Sequence, residues 1–87
     1  MDGNIQKYLA LIRTVECGSF TKAAEMLSYS QSGISRMIRD LENEWRVSLL
    51  ERGRAGVRLT SDGLTPLPYA KRVCEEYRKL QMQVEEL

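Results

Sequence analysis

Gln31, Ser32, Ser35 and Arg36 fall within six residues and carry an amide, two hydroxyls and a guanidinium. On a helix, positions 31, 32, 35 and 36 share one face, because residues three and four apart are neighbours. That face can make directed hydrogen bonds. An amide can pair twice with adenine, a guanidinium twice with guanine, and a serine is short enough to let a backbone come close. Arg39 lies one turn further on and is placed to reach a phosphate. Nine to twelve residues upstream of Gln31, Lys22, Thr21 and Ser19 mark the expected start of another helix, where unpaired N–H groups and the helix dipole attract anions. Downstream, Arg52 and Arg54 flank a glycine and suit a loop that touches a nucleic-acid backbone or minor groove.

The elements that position these groups follow from spacing. Asn4 is suited to cap a first helix, whose stripe is Ile5, Tyr8, Leu9, Ile12 and Val15, with Gly18 ending it. Either Ser19 or Thr21 caps a second helix with Phe20, Ala23, Ala24 and Leu27 inward. The two alanines allow close approach of another helix. Ser28-Tyr29-Ser30 is the turn, and Ser30 caps a third helix that runs to about Trp45. Ile34, Ile38, Leu41 and Trp45 form its apolar face, opposite the Arg/Ser face. The pattern predicts a bracing helix, a tight turn and an inserted helix, the layout of a helix-turn-helix.

Beyond Trp45, Val47 to Leu50 reads as a strand, Arg52 to Gly56 as a glycine-broken turn, and Val57 to Leu59 as a returning strand. Thr60 and Asp62 suit the start of a long last helix. In that helix Ala70, Tyr77 and Val84 repeat every seven residues, as do Val73, Leu80 and Leu87. Such a double seam is what helix pairing requires, so these six residues are the expected dimerisation set.

Composition supports this reading. The net charge of the 87 residues is only +1. Residues 31–58 nevertheless carry six arginines against four carboxylates, while residues 1–30 balance and residues 59–87 are slightly acidic. Cys17 and Cys74 are far apart and histidine is absent, which argues against a metal site and against any cofactor. With no secretion signal, a reduced cytoplasmic setting is expected, and no apolar run approaches membrane-spanning length. An enzyme is disfavoured: there is no histidine, no phosphate-binding loop and little room for a cleft. A protein-interaction module is the alternative, since some winged helices bind proteins and a heptad helix suits assembly. The basic middle third weighs against it.

The segments GSFTKAAEMLSYSQSGISRMIRDLE, VSLLERGRAGVRLTSDG and PYAKRV, in this order and spacing, resemble the N-terminal domain of LysR-type bacterial transcriptional regulators. The resemblance covers roughly residues 4–75. It implies a mainly α fold with a small β-hairpin: a winged helix-turn-helix domain over residues 1–60, then a linker and dimerisation helix over residues 61–87. It also implies double-stranded DNA as partner, homodimers or higher homo-oligomers through paired linker helices, and base or phosphate contacts at Thr21, Lys22, Gln31, Ser32, Ser35, Arg36 and the wing arginines. In the family a separate C-terminal domain binds a small-molecule effector. That domain has no counterpart in these residues, so the chain is expected to be a fragment of a longer regulator or a naturally truncated one.

Several positions depart from the family pattern. Gly33 stands where alanine is common, at a cost of about 1 kcal/mol in helix propensity. Met37 replaces a polar residue and is expected to give an apolar contact to DNA. Trp45 replaces leucine and should enlarge the base of the core. In the wing the second arginine, Arg54, is displaced by one residue. Pro66 and Pro68 are expected to kink the linker helix or delay its start.

Overall fold

The computed structural model describes residues 4–87. It contains α1 (Asn4–Cys17), α2 (Phe20–Leu27), α3 (Gln31–Trp45), β1 (Leu50–Gly53), β2 (Gly56–Leu59), one 3-10 turn at Asp62–Leu64, and α4 (Pro66–Glu85). The fold is mainly α with one hairpin, a winged helix-turn-helix followed by a long helix, as the sequence implies.

Helices α2 and α3 are joined by local chemistry. Ser19 caps α2, its hydroxyl accepting from the Lys22 N–H at 3.2 Å, so of the two candidates it is Ser19 and not Thr21. Ser28 closes α2 in the left-handed conformation, at φ 60°. Ser30 caps α3 by accepting from the Gly33 N–H at 3.0 Å. The α2–α3 angle is therefore set by two serine caps and one left-handed residue, all within the Ser19–Gly33 stretch. Ala23 and Ala24 are both buried, as close helix approach demands.

The core is formed by Ala10, Leu11, Phe20, Ala24, Ile34, Ile38, Leu41 and Leu49. The apolar face of α3 is as expected, with Trp45 half-buried and stacked on Tyr8 at a centroid distance of 5.8 Å. Met37, expected to give an apolar contact to DNA, is half-buried and packs against this core. The expected stripe of α1 also needs correction. Ile12 is buried, but Ile5, Tyr8, Leu9 and Val15 are only half-buried, while Ala10, Leu11 and Thr14 are fully buried. The reason is that α1 packs against α2, α3 and α4 together, and a helix covered on several sides does not show a single stripe. Asn4, expected as a cap, stands at the first residue of α1.

Thr14 is wholly buried and its Oγ1 has no hydrogen-bond partner among the described residues. An unpaired buried hydroxyl opposes folding, whereas valine has the same shape without it. Thr14→Val is expected to raise the unfolding free energy by about 1 kcal/mol, read as an upward shift in the urea midpoint. A loss of stability would mean that the hydroxyl is satisfied after all.

The wing begins later than the apolar run suggests. Val47 to Leu49 is not paired strand; β1 opens at Leu50 and pairs antiparallel with β2, Leu50 opposite Leu59 and Gly53 opposite Gly56. The N–H groups of Leu49 and Leu50 turn instead to the Glu42 carboxylate of α3, at 2.7 and 3.3 Å. The turn narrows to Arg54-Ala55. Val57 N–H bonds Gly18 C=O at 3.1 Å, which ties the wing to the end of α1. Gly56 has φ +121°, and a Cβ there would lie 2.5 Å from Gly18 O; only glycine permits this approach.

Thr60 accepts from the Gly63 N–H at 3.0 Å and thus caps the 3-10 turn, not α4 itself. The late start expected from the prolines is present: α4 opens at Pro66. In the first turn of a helix the N–H that proline lacks would have no partner anyway.

Candidate nucleic-acid interface

Three elements bring the predicted reading residues together. From α2, the Thr21 hydroxyl donates to Gln31 Oε1 of α3 at 3.2 Å. From β1, Arg52 Nη2 donates to Ser35 Oγ of α3 at 3.0 Å. The N-terminal half of α3 is thus held from both sides. Ser30 and Ser32 hydroxyls lie 3.3 Å apart at its tip. Lys22, Gln31, Ser32, Arg36 and Arg39 are exposed, and Ser35 is half-exposed under Arg52.

Arg52 departs from its expected place at the wing tip. It sits in β1, two residues before the turn, with its guanidinium 4.7 Å above the Phe20 ring. A cation over an aromatic face is attracted by the ring quadrupole. Arg52 is therefore fastened by one hydrogen bond and one cation–π contact to the helix-turn-helix. Of the two arginines only Arg54 lies in the turn, and it is exposed. Ser19 is already engaged as a cap, leaving its O–H hydrogen as a donor.

Charge is distributed unevenly over the molecule. Among the described residues, the ion pairs are Lys7–Asp40, Arg13–Glu16, Arg78–Glu75 and Lys79–Glu76. None involves Lys22, Arg36, Arg39, Arg52 or Arg54, so the cations around the α3 tip and wing have no carboxylate partner. Of the four carboxylates in residues 31–58, Glu42 holds the base of the wing and Asp40 faces Lys7. Spacing alone did not point to Glu42, nor to Phe20 as a seat for Arg52.

The far side is formed by α4. Ala70 is buried within its own chain, but Val73, Tyr77, Leu80 and Val84 are 41–59% exposed, and Leu87 is fully exposed. The heptad set is therefore divided, with its first member in the domain core and the other five forming an unpartnered apolar line. Cys74 lies half-buried between α4 and α1. Burial pushes its thiol above the ordinary value, against a smaller lowering by the Arg13 charge.

The model of the bacterial regulatory helix-turn-helix proteins of the lysR family matches residues 5–64. The chain is 35% identical over 83 residues to a probable nitrogen assimilation transcriptional activator of Synechococcus elongatus, covering 95% of this chain and 26% of that protein. It is 42% identical over 73 residues to the transcriptional regulator GalR of Pseudomonas putida, covering 84% and 18% respectively. The chain thus spans about a quarter or less of the length of these relatives. Among solved structures, the BenM DNA-binding domain in complex with catB site 1 DNA superposes with a TM-score of 0.86 at 32% identity, covering 94% of this chain and 92% of that one. The complex of the CbnR DNA-binding domain with DNA gives 0.84 at 30% identity, covering 94% of both.

Proposed function

The chain belongs to the lysR family of bacterial regulatory helix-turn-helix proteins, and from that premise we propose that it is a sequence-specific DNA-binding transcription regulator, cytoplasmic and without enzymatic activity. The observation that carries this is the unpartnered cation set around the tip of α3: Lys22, Arg36, Arg39 and Arg54 are exposed and free of carboxylates among the described residues. Charges left unpaired beside a helix that offers hydrogen-bonding side chains suit a polyanion with readable edges. Three of the similar structures are complexes with DNA, which supports the same reading.

In this reading α3 enters the major groove. Gln31, Ser32, Ser35 and Arg36 face base edges. Ser19 and Lys22 at the start of α2, with Arg39, face phosphates, Thr21 holds Gln31, and Arg54 brings the wing to the backbone or minor groove. Residues 1–60 form the reading unit and residues 61–87 the linker. Two copies pair along Ala70, Val73, Tyr77, Leu80, Val84 and Leu87, which places two α3 helices on two half-sites. The exposed apolar line of α4 is what such pairing would cover.

The test is fluorescence anisotropy on the duplex upstream of the chain's own coding region, against scrambled competitor, at two salt concentrations, with the mass of the complex read in parallel. Binding should resist competitor and weaken with salt, log K falling by about 0.9 per phosphate contacted for each tenfold rise in salt. Absence of binding by a folded dimer at low salt would overturn the reading and favour a protein-interaction module.

A further inference from the structure

The two side-chain bonds that hold α3 have the same polarity. Thr21 donates to the oxygen of Gln31, and Arg52 donates to the oxygen of Ser35. In both cases the protein itself takes up one of the two lone pairs on a reading residue's oxygen. The groups with no partner inside the protein are donors: the amide NH2 of Gln31, the O–H of Ser35 and the guanidinium of Arg36.

The consequence for readout is chemical. A glutamine that pairs twice with adenine uses Oε1 to accept from N6 while Nε2 donates to N7. Here Oε1 is tied to α2, which leaves the nitrogen end free to approach a base. A serine hydroxyl has one hydrogen and two lone pairs. One lone pair of Ser35 takes the Arg52 N–H, and the other lies beside the same positive charge. A base amino group, itself a donor, is disfavoured there, while the polarised O–H becomes a better donor. Arg52 is seated on Phe20 at 4.7 Å, so this arrangement exists before DNA arrives.

We infer that Thr21 and Arg52 are positioning residues that bias Gln31 and Ser35, beside Arg36 on the reading face of α3, toward donation, so that these three residues favour the keto oxygens of guanine and thymine over the amino groups of adenine and cytosine. This rests on the DNA-binding reading above and assigns it a base class. It also replaces the pairing of Gln31 with adenine that the residue type alone suggests.

Selection of binding sites from duplexes with a randomised half-site tests it. The chain is compared with Gln31→Ala, Ser35→Ala, Thr21→Val and Arg52→Met, and each variant's melting is followed by circular dichroism. The base position whose preference flattens in Gln31→Ala belongs to Gln31, and likewise for Ser35. In the unaltered chain both positions should be enriched in guanine or thymine. Thr21→Val frees Oε1 and should raise the share of adenine at the Gln31 position roughly tenfold, leaving other positions unchanged. Arg52→Met should admit cytosine or adenine at the Ser35 position. A merely structural or phosphate-contacting role would lower affinity for all sequences without changing base preference. Adenine or cytosine selected by the unaltered chain at either position overturns the inference alone, as does a Thr21→Val profile identical to that of the unaltered chain. Failure of the folded, unaltered chain to retain any DNA overturns the DNA-binding reading itself.

Discussion

Replacing Glu42 by alanine will lower the unfolding free energy by about 2–3 kcal/mol, whereas replacing it by glutamine will cost less than about 1 kcal/mol. One oxygen, Oε2, accepts from both the Leu49 and Leu50 N–H groups, at 2.7 and 3.3 Å. These are the two residues where the chain leaves α3 and starts the wing. Leu49 is fully buried, so its N–H is not freely offered to water. Alanine leaves both donors unpaired, and a hydrogen bond to a charged acceptor contributes more than a neutral one. Glutamine retains a carbonyl oxygen that can serve both donors and loses only the charge. Urea denaturation of the three proteins gives the comparison, with the slope checked for constancy. Equal and small losses for both variants would show that the carboxylate does not hold the wing. The same experiment bears on function, because Arg52 and Arg54 are carried by the strand and turn that Glu42 anchors.

Glu42 also marks where sequence reading stops. Its role joins a side chain to backbone groups seven and eight residues on, and such a contact leaves no periodic trace. The helix-turn-helix was legible because it is made of local signals: the Ser30 cap, the Ala23-Ala24 pair, and Ile34, Ile38 and Leu41 at helical spacing. The register of the wing was not. Leu49 looks like strand because it is apolar, yet it belongs to the core, and pairing begins only at Leu50. The burial of Leu11 and Thr14 was hidden for a related reason. It depends on three other helices surrounding α1, which no window of sequence contains.

The candidate site divides along the same line. Residue types and helical phase were enough to group Gln31, Ser35 and Arg36 and to set them opposite the apolar face of α3. That Thr21 reaches Gln31, and that Arg52 lies over Phe20 and reaches Ser35, depends on how α2, α3 and β1 meet. The candidate reading residues could be named from sequence; the groups that contact them required the fold.

Arg36 provides the sharpest functional prediction. It is exposed, is not ion-paired among the described residues, and lies beside Ser35 on the outer face of α3. A guanidinium there can fork onto guanine, and one such pair contributes about 2 kcal/mol of discrimination. Arg36→Ala should therefore weaken binding to the selected site roughly thirtyfold, and to scrambled DNA by much less, because only the general attraction of one charge is lost. Lys22→Ala should behave differently. As a phosphate contact it should weaken binding to both duplexes by the same factor and reduce the salt slope by about one. Measuring both variants on both duplexes at several salt concentrations separates the two roles. Since Arg36 and Lys22 each remove one positive charge, net electrostatics is matched between them, and the difference in sequence dependence isolates base reading. Equal losses for Arg36→Ala on selected and scrambled DNA would assign it to the backbone and leave Gln31 and Ser35 to carry the reading.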